Sequence, residues 1–105
     1  MDSSKKLDYI EEQIIQWAID RGIIPNGNIM TQAIKTMEEV HELIRAIDRK
    51  DQFEIDDAYG DIFVTIVIGS YLNGRRLSDY AAMAYAVIKD RKGKLLPNGD
   101  FIKEK

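Results

Sequence analysis

The sequence predicts an all-α fold: a four-helix, bundle-like subunit with a short C-terminal hairpin or extended tail, oligomerising through its helices. Three observations predict it. Apolar residues recur at helical spacing in four successive segments. Each segment ends at a glycine, an Asn-Gly pair or a short polar connection, which makes sequential helices antiparallel neighbours. The chain has 105 residues, so it reads as one domain, 1–105, with a single core. A globule of this size has little room to enclose a ligand, which favours an oligomer with sites near subunit contacts.

Leu7, Ile10, Ile14, Trp17 and Ala18 place a first helix over about 4 to 21, stopped by Gly22. Residues 23–28 form a loop with a Pro25-Asn26-Gly27 turn signal. Met30, Ala33, Met37, Val40, Ile44 and Ile47 form the apolar stripe of a second helix over about 29 to 49. A third helix, about 53 to 73, is amphipathic in its first half and apolar nearly all round in its second, as a central bundle helix is. Asn73-Gly74 stops it. Ser78 is the expected N-cap of a fourth helix over about 78 to 91, with Tyr80, Ala81, Ala84, Val87 and Ile88 facing inward. Beyond Gly93, a turn at Pro97-Asn98-Gly99 with apolar flanks reads as a small hairpin or extended tail.

Composition narrows the function. The net charge of −3 supplies no overall attraction to nucleic acid, and an acidic protein acting on a phosphorylated substrate needs a bridging cation. With no cysteine, disulfides and thiolate zinc sites are excluded, and the chain suits a reducing cytoplasm. The first ten residues lack the apolar core of a signal peptide. The longest apolar run, Ile62 to Leu72, is about half of what spans a bilayer, so no membrane partner is expected.

The chemistry lies in two acidic blocks. Glu38, Glu39 and Glu42 cover one face, roughly 100° wide, of the second helix, opposite its apolar stripe. Glu54, Asp57 and Asp61 fall within roughly 60° on the third. Folding back about the short connection sets Asp61 level with Glu42 and close to Glu39 and Glu38, with Asp57 about one turn nearer the connection and Glu54 nearer still. A surface reading exists, in which Lys35 and Arg45 pair with these glutamates in solvent. Asp61 resists it, because it stands where burial begins, and clustered carboxylates entering a core call for a cation. Oxygen-only ligands suit Mg²⁺ or Mn²⁺.

Glu38-Glu39-Val40-His41-Glu42-Leu43 matches the EExxEL signature of the MazG-like, all-alpha pyrophosphohydrolases, with Lys35 three residues ahead as in the family's K-x-x-E-E pattern. The family's second block, ExxD before an apolar run, is represented by Glu54 through Val64, with Asp61 as its final Asp. Ala58 stands where the glutamate is expected, and Asp57, one turn before Asp61, is its substitute, giving the D-A-x-G-D form of phage-type members; Glu54 and Asp57 also read as ExxD, a second register for the ligands. Gln16-Trp17-Ala18 with Asp20-Arg21-Gly22, and the basic Lys89-Asp90-Arg91-Lys92-Gly93-Lys94, also resemble phage-type members.

The resemblance implies an α-helical homodimer or homotetramer that converts a nucleoside triphosphate to its monophosphate and pyrophosphate with Mg²⁺, or Mn²⁺, as cofactor. It implies Glu39, Glu42 and Asp61 as metal ligands, with Asp57 next, and Glu38 either as a ligand or as the base that orients the attacking water. Lys35, Lys89, Arg91 and Lys92 are candidates for the phosphates; the basic cluster also complements a helix dipole. Trp17 has two roles open to it, stacking on the base or packing in the core. Gln32 and Asn73 either hydrogen-bond base or sugar, or serve as a solvated helix position and a helix stop. No GxxxxGK[ST] loop is present, which excludes a P-loop mechanism. Two other readings compete. Glu38 and His41 have the Glu-x-x-His spacing of carboxylate-bridged di-iron proteins, and a non-catalytic, partner-binding bundle would leave the acidic faces merely solvated.

Overall fold

Asn28 stands in extended backbone, and its side chain accepts a hydrogen bond from the Thr31 amide at 2.8 Å, which opens the first of two long helices. In the computed structural model, which describes residues 6–104, the elements are α1 (Leu7–Asp20), α2 (Ile23–Asn26), α3 (Ile29–Arg49), α4 (Gln52–Leu72), α5 (Leu77–Ile88), β1 (Gly93–Leu95) and β2 (Phe101–Lys103). The expected start of the first helix at residues 4 and 5 lies outside the described residues. Gly22, at φ +75°, stops α1. The expected loop after it contains a short kinked turn, α2, in which Ile24 is extended at φ −110°, ψ 122°, and Gly27 closes that turn because a Cβ there would lie 2.7 Å from the Ile23 carbonyl oxygen.

α3 and α4 share the most extensive packing in the molecule, joined through Lys50 in the left-handed region and Asp51, which caps α4 by accepting from the Glu54 amide at 3.2 Å. The face of α3 turned to α4 is small and polar. Gln32 and Ala46 are buried on it, and Thr36, Glu39 and Leu43 are half-buried. The Thr36 hydroxyl donates to the Thr65 hydroxyl at 2.8 Å, which donates to the Ile62 carbonyl. Gly69 keeps the helices close, since a Cβ on it would stand 3.4 Å from the Gln32 Cβ. The apolar core lies on another side of α4, where Ile15, Ala18 and Ile24 meet Val67 and Ile68.

Two helices keep apolar sides exposed in the subunit, and for α5 this corrects the expected inward-facing residues. The apolar stripe of α3 faces solvent in the subunit, with Met30, Met37 and Ile44 exposed by 69%, 66% and 60%. The physical reason is that α3 lays its polar face on α4. Likewise α5 has no buried residue: Tyr80 is half-buried, but Ala81, Ala84, Val87 and Ile88 are exposed. It docks by its start, where the buried Glu11 carboxylate accepts from the Leu77 amide at 2.7 Å and Glu12 pairs with Arg76. Ser78 is therefore not the cap. Arg76 holds that position, Asp79 accepts from its amide at 3.2 Å, and the helix ends at Ile88 rather than 91. The chain closes in an antiparallel hairpin pairing Lys94 with Ile102 around a turn in which Gly99 takes φ +91°.

Candidate metal and nucleotide site

The close α3–α4 packing brings two acidic faces together. Glu39 on α3 is half-buried, and its carboxyl is held above its ordinary value by that burial first, then by repulsion from Asp61, Glu42, Asp57 and Glu38. Asp61 on α4 is likewise raised, by burial first, then by repulsion from Asp57 and a hydrogen bond shared with it. Glu54 is not among the charges acting on Glu39. Little neutralises the group: Arg45 reaches Glu42 at 3.9 Å with both side chains more than half exposed, a pair worth little. Carboxylate oxygens, negative charge and partial burial suit a hard divalent cation in donor type and electrostatics. The grip is open, however: among the described residues, no group of three such side chains stands ready to hold one ion.

Two clefts adjoin this face. One, of about 610 Å³, runs from Asp61 along Val64 to Tyr9, Ile10, Gln13, Ile14 and Trp17 of α1. The other, of about 570 Å³, lies between α1, α2 and the α3–α4 pair, and Trp17, Arg21, Gln32, Lys35 and Thr65 line it. Trp17 and Val64 border both. Trp17 is 43% exposed, so it is not core, and the Arg21 guanidinium lies 4.5 Å from its ring centroid. Gln32, Lys35, Glu39 and Glu42 follow one another along one side of α3.

The remaining sequence-predicted residues stand elsewhere. Asn73, twelve residues and about 18 Å of helix beyond Asp61, donates to the Tyr80 hydroxyl at 2.8 Å. Lys89, Arg91 and Lys92 are exposed and form no ion pair among the described residues. They follow α5, whose first turn lines a hollow with Phe63, and Phe63 is about 200° around α4 from Asp61. Sequence reasoning passed over Arg21, although its i, i+4 spacing from Trp17 was a readable signal. It also passed over the Thr36–Thr65 pair, which depends on the register between two helices.

Comparison with known proteins shows the family. A 62-residue stretch, 59% of this chain, is 37% identical to an uncharacterised 18.2 kDa protein from the rep–hol intergenic region of Haemophilus phage HP1 (strain HP1c1). That stretch spans 38% of the phage protein's own length. No solved structure matches significantly. Residues 29–92 match the model of the MazG nucleotide pyrophosphohydrolase domain. That span includes both acidic blocks, Gln32, Lys35, and Lys89, Arg91 and Lys92 after α5. With the paired acidic helices and more than half of the chain matched, the protein belongs to the MazG nucleotide pyrophosphohydrolase family.

Proposed function

We propose that the protein hydrolyses a ribo- or deoxyribonucleoside triphosphate to the monophosphate and pyrophosphate, using Mg²⁺ or Mn²⁺, as a homodimer or homotetramer. The observation that carries this is the opposition of Glu39 on α3 to Asp61 and Asp57 on α4, whose charges, after burial, raise the cost of ionising Glu39. Glu39, Glu42 and Asp61, joined by Asp57, would hold the cation in this reading. When bound, the ion draws charge from the phosphate oxygens and acidifies a water. Lys35, one turn before Glu38 and Glu39, sets its ammonium against the phosphates. Glu38, exposed at the edge of the acidic face, either completes the ligand set or takes the proton of the attacking water. Water then supplies the new phosphorus–oxygen bond of the monophosphate as the bond to pyrophosphate breaks. Oligomerisation covers the stripe of α3 and the exposed side of α5, surfaces too apolar to be typical of a lone subunit.

The test is pyrophosphate release from a panel of ribo- and deoxyribonucleoside triphosphates, with Mg²⁺, Mn²⁺ or chelator. Wild type is expected to require the metal, and Glu39→Gln to lose at least about 100-fold in kcat, as for loss of a group acting on transition-state charge. A folded wild type that leaves every triphosphate intact with metal present would point to the non-catalytic bundle. Bound iron with redox activity and no pyrophosphate would point to the di-iron reading.

A further inference from the structure

Gln32 is 94% removed from solvent, being 6% exposed, on a helix face that packs against another helix. Such a side chain normally finds partners for its carboxamide. Among the described residues it has none; only its backbone is engaged, the N–H donating to the Asn28 carbonyl and the carbonyl lying 2.9 Å from the Thr36 hydroxyl. No fully buried side-chain nitrogen or oxygen among the described residues is left without a partner, so the Gln32 amide is not sealed in the core. It opens into the 570 Å³ cleft that it lines. Across that cleft stand Trp17 and, over its ring, Arg21. Both planes suit stacking by a nucleobase.

Position along α3 separates this amide from the phosphate chemistry. Gln32 precedes Glu39 by seven residues, about 10 Å of helix rise on the same side, with Lys35 between them. A nucleotide with its phosphates at Glu39 and Asp61 has this cleft within the reach of its base. We propose that Gln32 is the base-reading residue of the site, pairing its carboxamide with the edge of a nucleobase seated against Trp17 and Arg21. This rests on the nucleotide substrate proposed above and adds which residue selects the base. A carboxamide offers a donor and an acceptor side by side, so it discriminates by matching both at once. Gly69 lies beside the base of this side chain, a Cβ on it standing 3.4 Å from the Gln32 Cβ.

Trp17 is the only tryptophan in the chain, so its fluorescence reports on the cleft. The experiment titrates the four nucleoside monophosphates, one per base, into wild type, Gln32→Leu and Gln32→Glu. In wild type, quenching is expected to saturate, with the tightest base bound about 10-fold better than the weakest. Gln32→Leu should compress that spread to within about 3-fold. Gln32→Glu keeps the size of the side chain, so it answers the same question should the leucine variant misfold. Its two acceptors match the adjacent N1–H and N2–H donors of guanine, and guanosine monophosphate should gain at least about 5-fold over the other three. Absence of quenching by any base, or an order of bases untouched by both variants, would overturn the proposal. Pyrophosphate release on the same preparations separates it from the reaction itself. Turnover with base preference indifferent to Gln32 sinks the base reader alone; base-selective quenching without turnover sinks the hydrolysis alone.

Discussion

Glu39 and Asp61 are raised from ordinary values of 4.5 and 3.8, so at these positions the folded chain holds protons more tightly than the unfolded chain does. Their ionisation therefore opposes folding. The metal-free protein keeps the benefit of protonation below the unfolded values and loses it as pH rises through the raised folded values. At pH 7 in chelator, Glu39→Gln and Asp61→Asn should each raise the melting temperature by about 1–4 °C, the scale of a partly exposed charge in a small domain. Near pH 3 the advantage should vanish. Mg²⁺ should stabilise wild type and leave either variant less changed. Thermal scans at both pH values, with and without metal, check all three statements. A variant that melts below wild type at pH 7 in chelator would mean that these carboxylates have favourable partners and are not a repelling pair.

At the level of elements, α5 hangs on a contact that crosses 66 residues, the Glu11 carboxylate accepting from the Leu77 amide in a buried setting. Glu11→Ala should cost about 1–3 kcal/mol in urea unfolding, because it strands a donor at the helix start. Glu11→Gln, which keeps an acceptor oxygen, should cost less. Glu12→Ala removes only a half-exposed ion pair with Arg76 and should cost under about 1 kcal/mol. Equal losses for Glu11→Ala and Glu12→Ala would deny Glu11 its capping role. The same contact explains what could be read in the chain and what could not. α3 runs over 29–49 as its periodicity predicts, because Asn28 caps it locally and 21 residues of pattern define it. The start of α5 was misplaced onto Ser78 because its cap comes from α1. The turn of α2 is too short to carry a period. The acidic blocks announced a shared face, since helical spacing and a short connection suffice to align them. The Gln32 cleft did not, for it exists only once α1 and α2 lie over the α3–α4 pair. The stripe of α3 was visible as a pattern, yet pattern alone does not say whether a face meets its own chain or another.

At the scale of the whole molecule, the Cα radius of gyration is 16.1 Å, against about 13 Å for a compact domain of this length. The excess goes with a small core, in which Val67 is the largest fully buried side chain. Met30, Met37, Ile44 and Ile47, each about half exposed or more, lie along α3 on the side away from α4. Each kcal/mol that this stripe contributes to stability has to come from a surface outside the subunit. In the homodimer proposed above, a second copy would supply one by symmetry, as the same stripe facing itself across a two-fold axis. Met37→Glu together with Ile44→Glu places two charges in the middle of that seam. Because both side chains are exposed in the subunit, helical content by circular dichroism should stay within about 10% of wild type at low temperature, while burial of charge in the seam is forbidden. Sedimentation should show wild type as a dimer or larger and the double variant as a monomer at micromolar concentration. The melting temperature of wild type, unlike that of the variant, should rise with protein concentration, since association stabilises by mass action. A wild type that sediments as a monomer, or a double variant that assembles as wild type does, would mean that the stripe of α3 is not the seam.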